Sequence, residues 1–176
     1  ERVPALAVLA DDLPNYAQRI TVLVDNRSVL GAALGEMGLA YLIETGQNQI
    51  LLDTGRGYTL IGNADATNVD LGKTDAIVLS HGHTDHTGGL AIALDATGSV
   101  DLFLHPLAFR TTYWKSGDSY LTLNLPLSRD ELRQRVDRII ETEEPTLVGE
   151  GLMVTGEIPR RTDFEDTGAV GFAFLD

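Results

Sequence analysis

Leu79-Ser80-His81-Gly82-His83-Thr84-Asp85-His86-Thr87-Gly88-Gly89-Leu90 places three of the chain's four histidines within six residues. A short apolar run, Ala76-Ile-Val-Leu-Ser80, leads into it. His81 and His83 are two apart, so in an extended segment leaving a strand their rings project to the same side. Imidazoles placed this way suit a shared divalent cation. Asp85 and His86 fall at the turn into a helix, where they can face a second cation nearby. Gly82 removes a side chain that would crowd the pocket, and Gly88-Gly89 lets the helix start close to neighbouring backbone. Two cations about 3.5–4 Å apart polarise a substrate oxygen and deprotonate a bridging water near neutral pH. A histidine-rich surface loop would require neither the strand before this stretch nor the aspartate and paired glycines within it.

Upstream, Ile20-Thr-Val-Leu-Val24 is rich in β-branched residues and ends at Asp25-Asn26, a strand followed by a turn. Residues 39–44 and 49–53 flank Thr45-Gly46-Gln47-Asn48 and predict a β-hairpin. After Asp53, Thr54-Gly55-Arg56-Gly57 leads into a short helix reaching about Asn63. Residues 76–80 read as a strand buried on both faces. One helix is expected from Asp85 or His86 to about Leu94, and a strand over 100–104. Pro106, Gly117 and Pro126 break any long element across 106–127. Ser128-Arg-Asp-Glu131 fits a capping box, and Leu132, Val136 and Ile139 form one apolar stripe of the helix it would open. Residues 146–148 and 152–155 predict a second hairpin, and 170–175 a final buried strand. The pattern is α/β (α+β) with strands dominant, and residues 1–19 read as an N-terminal arm.

The 176 residues suffice for one domain with a real core. Thirteen Lys+Arg stand against 26 Asp+Glu, and the net charge of −13 argues against nucleic acid and anionic membranes as partners. No apolar run approaches the roughly 18 residues of a membrane span. The chain opens at Glu1 rather than Met, which suggests a processed or trimmed N-terminus, and a cytoplasmic setting is expected. There is no cysteine, so disulfides, thiolate ligands and a cysteine nucleophile are excluded. Charge is locally reversed between Arg110 and Arg138, where Arg110, Lys115, Arg129, Arg133, Arg135 and Arg138 outnumber four acids. Such a region either holds a small anion, such as phosphate or carboxylate, or is a solvated helix face with intrahelical ion pairs.

His81-Gly-His83-Thr-Asp85-His86, together with Leu51-Leu-Asp53-Thr-Gly55 upstream, resembles the HxHxDH signature and surroundings of the metallo-β-lactamase superfamily. Residues 20–26, 38–44, 105–109 and 156–160 look like its branch of ribofuranosylaminobenzene 5′-phosphate synthase-like or dihydropteroate-synthase-like metal-dependent hydrolases. The resemblance implies an αββα sandwich, with 20–176 as the N-terminal portion of its domain. It implies that His81 and His83 ligate one metal, and Asp85 and His86 a second. Asp85 also carries the candidate catalytic role, and Asp53 orders the loop. The implied cofactors are two divalent ions, with zinc ahead of manganese or iron. Asp25, Asn26, His105 and Arg160 are candidate substrate contacts, although a plain turn accounts equally well for Asp25 and Asn26, and a structural role for His105.

In that superfamily the remaining ligands come from a C-terminal half, and no histidine follows His105 here. The binuclear cage would then be closed by another chain or further residues, which would also cover the apolar sheet face of a half-sandwich, so self-association is expected. The function implied is a metal-dependent hydrolase acting on a small ester, phosphoester or pterin-pathway-like substrate. The alternatives are a non-catalytic metal-binding or assembly module and an iron-dependent redox enzyme.

Overall fold

A computed structural model describes residues 19–28, 31–46 and 48–164. The 1–19 arm, apart from Arg19, and the expected strand over 170–175 lie outside the described residues. In chain order the elements are β1 (Arg19–Val24), β2 (Ala40–Glu44), β3 (Gln49–Leu52), α1 (Leu60–Ala66), β4 (Ala76–Val78), α2 (Thr84–Thr87), α3 (Leu90–Thr97), β5 (Asp101–Leu104), β6 (Tyr113–Ser116), β7 (Ser119–Thr122), α4 (Arg129–Arg133), β8 (Arg138–Glu141), β9 (Thr146–Gly149) and β10 (Leu152–Val154). Short 3₁₀ turns lie at Leu71–Lys73 and Pro106–Phe109.

Six strands form one sheet in the order β1-β2-β3-β4-β5-β8. The first three pair antiparallel, and β3, β4, β5 and β8 run parallel. Alternation along the parallel strands builds two cores. Leu51, Ile77 and Leu102 point to one face and pack with Leu60 and Ala64 of α1, Leu90, Ala93 and Leu94 of α3, and Leu132 of α4. Ile50, Ala76, Val78 and Phe103 point to the other, where Val148, Leu152 and Val154 of the β9–β10 hairpin lie against them. Strands buried on both sides explain why residues 76–79 are continuously apolar. No helix among the described residues is long and apolar enough to cross a membrane.

Two expectations change. The helix expected from about 85 to 94 is divided into α2 and α3 at Gly88-Gly89, because the Gly89 N–H turns away to the Gly55 carbonyl, 3.1 Å. The capping box is present, with the Glu131 carboxylate 2.8 Å from the Ser128 N–H, but α4 stops at Arg133. Ile139, placed on a helical stripe by its spacing, instead sits on β8 opposite Leu102, with Ile140 opposite Phe103. Continuing the helix would have left the β5 edge without backbone partners. Both isoleucines then reach a core, one on each face.

Candidate metal centre

Parallel strands deliver their following loops to one sheet edge, and ligands in such sheets collect at the carboxyl ends of the strands. Here Asp53 follows β3, Ser80 and His81 follow β4, and His105 follows β5. Asp53 is the hub. It is 1% exposed, and its backbone is left-handed with φ 56°, an uncommon state for a residue with a Cβ. Its N–H donates to Val78 O at 2.8 Å. Its carboxylate accepts from Ser80 N at 2.7 Å, Ser80 Oγ at 2.6 Å and His86 Nδ1 at 2.8 Å.

Counting hydrogens fixes the two rings. The single Ser80 hydroxyl hydrogen is committed to Asp53, so the 2.9 Å contact between Ser80 Oγ and His81 Nδ1 requires His81 Nδ1–H to be the donor. His86 Nδ1–H likewise donates to Asp53. When neutral, both rings therefore present Nε2 as the lone-pair atom. The His81 and His86 ring centroids are 4.2 Å apart, those of His81 and His83 are 4.6 Å apart, and Asp85 Oδ2 lies 3.8 Å from His86 Nε2. Burial, then repulsion from His86 and His83, lowers the His81 pKa below the ordinary histidine value, which favours the neutral ring. His86 is raised above it, first by its hydrogen bond to Asp53.

The donor types fit a divalent cation: imidazoles whose Nδ1 atoms are anchored to a carboxylate network, so that each presents Nε2 once it is deprotonated. Among the described residues, however, no three His, Asp, Glu or Cys side chains form a closed coordination group. The loop's supports are local. Thr54 N and Oγ1 both donate to His86 O, at 2.8 and 3.0 Å. Glu36, which sequence spacing did not single out, accepts from the backbone N–H groups of Arg56, Gly57 and Tyr58. Gly82 does not relieve the pocket itself. A Cβ there would stand 2.5 Å from Ala108 O, so its role is to let the 106–109 turn lie on the loop.

His81 and His83 open onto a cleft of about 710 Å³, also lined by His105, Arg110, Glu157 and Arg160. His105 and Arg160 are thus brought to the site. Asp25 and Asn26 are outside the cleft lining; the Asp25 carboxylate accepts from Asn26 N at 2.7 Å in an exposed turn. His105 has both ring nitrogens engaged, Nδ1 accepting from Leu107 N at 3.1 Å and Nε2 facing Glu157 Oε1 at 3.0 Å. Sequence spacing does not single out Glu157 and marks Arg110 only as one of six basic residues of a candidate anion-holding stretch, because only the fold brings their segments to this cleft. Most of the basic stretch is ion-paired: Arg129 with Glu141, Arg133 with Asp130, Arg135 with Asp95 and Arg138 with Asp101. Only Arg133–Asp130 lies within one helix, so cross-element pairing replaces the expected helix face.

The family model described as the metallo-beta-lactamase superfamily matches residues 34–159. A Methanocaldococcus jannaschii protein named 7,8-dihydropterin-6-methyl-4-(beta-D-ribofuranosyl)-aminobenzene-5'-phosphate synthase is 30% identical over 149 residues, covering 79% of this chain and 50% of that protein. The uncharacterized protein MJ0448 of the same organism is 33% identical over 150 residues, covering 83% and 56%. Among solved structures, Tm1679, described as a metal-dependent hydrolase of the beta-lactamase superfamily, superposes with a TM-score of 0.59 at 26% identity, covering 78% of this chain and 47% of that one. The chain spans about half the length of the relatives it matches.

Proposed function

The chain belongs to the metallo-beta-lactamase superfamily, and on that premise we propose that the whole protein is a metal-dependent enzyme of hydrolase type acting on a small ester or phosphoester. His81 and His83 would hold one divalent cation, Asp85 and His86 a second, with zinc the first candidate and manganese or iron the others. Bound there, such ions supply Lewis acidity and a water nucleophile near neutral pH. The chain's own contribution is orientation. Asp53, directly and through Ser80, anchors the inner nitrogen of two rings, and the cleft beside His81 and His83 receives the substrate. The single observation that carries this reading is that proton inventory, since it frees the same nitrogen on both histidines. A pterin-pathway-like substrate enters from the M. jannaschii relative, which is a synthase by name, so hydrolysis of simple esters is the first chemistry to test rather than the whole of it.

The test is metal content, by elemental analysis of protein purified without added metal, together with turnover of p-nitrophenyl esters and phosphodiesters. In the intact protein His83→Ala is expected to lower metal content and abolish turnover. Unchanged turnover in that variant would end the proposal. The open ligand set among the described residues favours one competing reading, a non-catalytic metal-binding or assembly module. One loosely held ion with no turnover is its signature.

A further inference from the structure

Among the described residues, Arg110 and Arg160 stand apart from the paired arginines, for neither makes an ion pair or side-chain hydrogen bond. Both line the cleft of His81 and His83. Each is brought there by a constrained backbone. The turn at Pro106–Phe109 rests against Gly82, and the Arg110 N–H closes it on Leu107 O at 3.0 Å. On the second segment Gly156 has φ +69°, and a Cβ there would meet Glu143 O at 2.3 Å; the Glu157 N–H donates to that same oxygen at 2.9 Å.

His105 ties the two segments together. Its Nδ1 accepts from Leu107 N, which leaves the ring hydrogen of the neutral form on Nε2, facing Glu157 Oε1. Among the described residues Glu157 is the one carboxylate in the cleft lining, and this contact engages it. Two cationic side chains therefore share a cleft with one engaged acid, in a protein of net charge −13. A concave site of the opposite sign to its surroundings attracts and orients an anion.

We propose that this part of the cleft is an anion subsite, in which Arg110 and Arg160 take the phosphate of a phosphomonoester substrate and His105–Glu157 spaces them. Phosphate is preferred to carboxylate because two guanidiniums match a dianion, and each offers forked donors to its oxygens. Where the bond that reacts lies, against His81 and His83, rests on the enzymatic reading above; the anion binding itself does not.

The test uses the full chain stripped of metal by chelator, so that phosphate cannot bind through an ion. Phenyl phosphate is titrated and followed by ³¹P line broadening, with phenol and benzoate as competitors. Saturable binding is expected, weakening as salt is added. Arg110→Gln and Arg160→Gln should each weaken it about ten-fold, and Arg110→Lys should retain part of it. Phenol should not compete, and benzoate should compete more weakly than inorganic phosphate. Absent saturation, wild-type affinity in the double glutamine variant, or benzoate competing better than phosphate would overturn the proposal. Zinc titration of the same proteins separates the two readings. Phosphate binding without zinc uptake removes the enzyme and leaves the subsite, whereas zinc uptake with arginine-independent phosphate binding does the reverse.

Discussion

Asp53 holds a left-handed backbone and a fully used carboxylate at once, and substitutions separate the two. Asp53→Ala removes three hydrogen bonds and keeps a Cβ in the unfavourable conformation, so it should destabilise by at least about 3 kcal/mol. Asp53→Gly loses the same bonds but relieves the backbone, and should cost about 1 kcal/mol less. Equal urea midpoints for the two variants would show that the backbone state contributes nothing. Ser80 has a different test. In metal-free protein, ¹H–¹⁵N spectra should show the His81 hydrogen on Nδ1, and Ser80→Ala should lose that preference while Ser80→Thr keeps it. A His81 ring hydrogen on Nε2 in the wild type, or an Ala variant with the same tautomer, would contradict the hydrogen count. The histidine–aspartate run was legible because its chemistry is contiguous. The parts played by Ser80 and Asp53 were less so, since the carboxylate and hydroxyl meet across 27 residues and a positive φ leaves no mark on an aspartate codon.

At the level of elements, local signals were most reliable where one rule acted alone. The capping box at Ser128–Glu131 formed as written, because both of its hydrogen bonds are made within one turn. The stripe beyond it misled, because Ile139 satisfies a helical spacing and a strand equally well and only the open β5 edge decides between them. The hairpin β6–β7 inside 106–127 was unreadable for the same reason: its base is set by Thr112 and Asn124, 12 residues apart, and not by a turn signature alone. α4 is short, so its cap should matter. Ser128→Ala is expected to cost about 1 kcal/mol in urea unfolding. Hydrogen bonds from the Ser128 hydroxyl and N–H hold the Glu131 pKa below the ordinary glutamate value. A depressed carboxyl stabilises the fold above its unfolded pKa, and that contribution fades as pH falls through the folded one. The difference between wild type and Ser128→Ala should therefore narrow on acidification across that window. A gap that stays constant would assign the cap's effect to something other than the Glu131 carboxylate.

Across the whole molecule, the two faces of the sheet are unequally covered. On the helix side Leu51, Leu60, Ile77, Leu90, Leu102 and Leu132 are all sealed. On the other, Ile43, Leu52 and Ile140 of the sheet and Val148, Leu152 and Val154 of the β9–β10 hairpin are only partly buried around Ile50, Ala76, Val78 and Phe103. Partly buried apolar side chains of this kind gain by further burial, and water leaves them readily when a second apolar face is offered. The opposing force is charge: at −13 two copies repel at long range. Salt screens that repulsion over about 10 Å at 0.1 M and leaves the apolar attraction in place. This chain alone is therefore expected to self-associate through that face, with sedimentation showing a mass that rises with concentration and rises further with added salt. A competing origin in surface ion pairs predicts the opposite salt response. A monomer at every salt concentration that also fails to bind a hydrophobic dye would mean that this face is already covered within the chain.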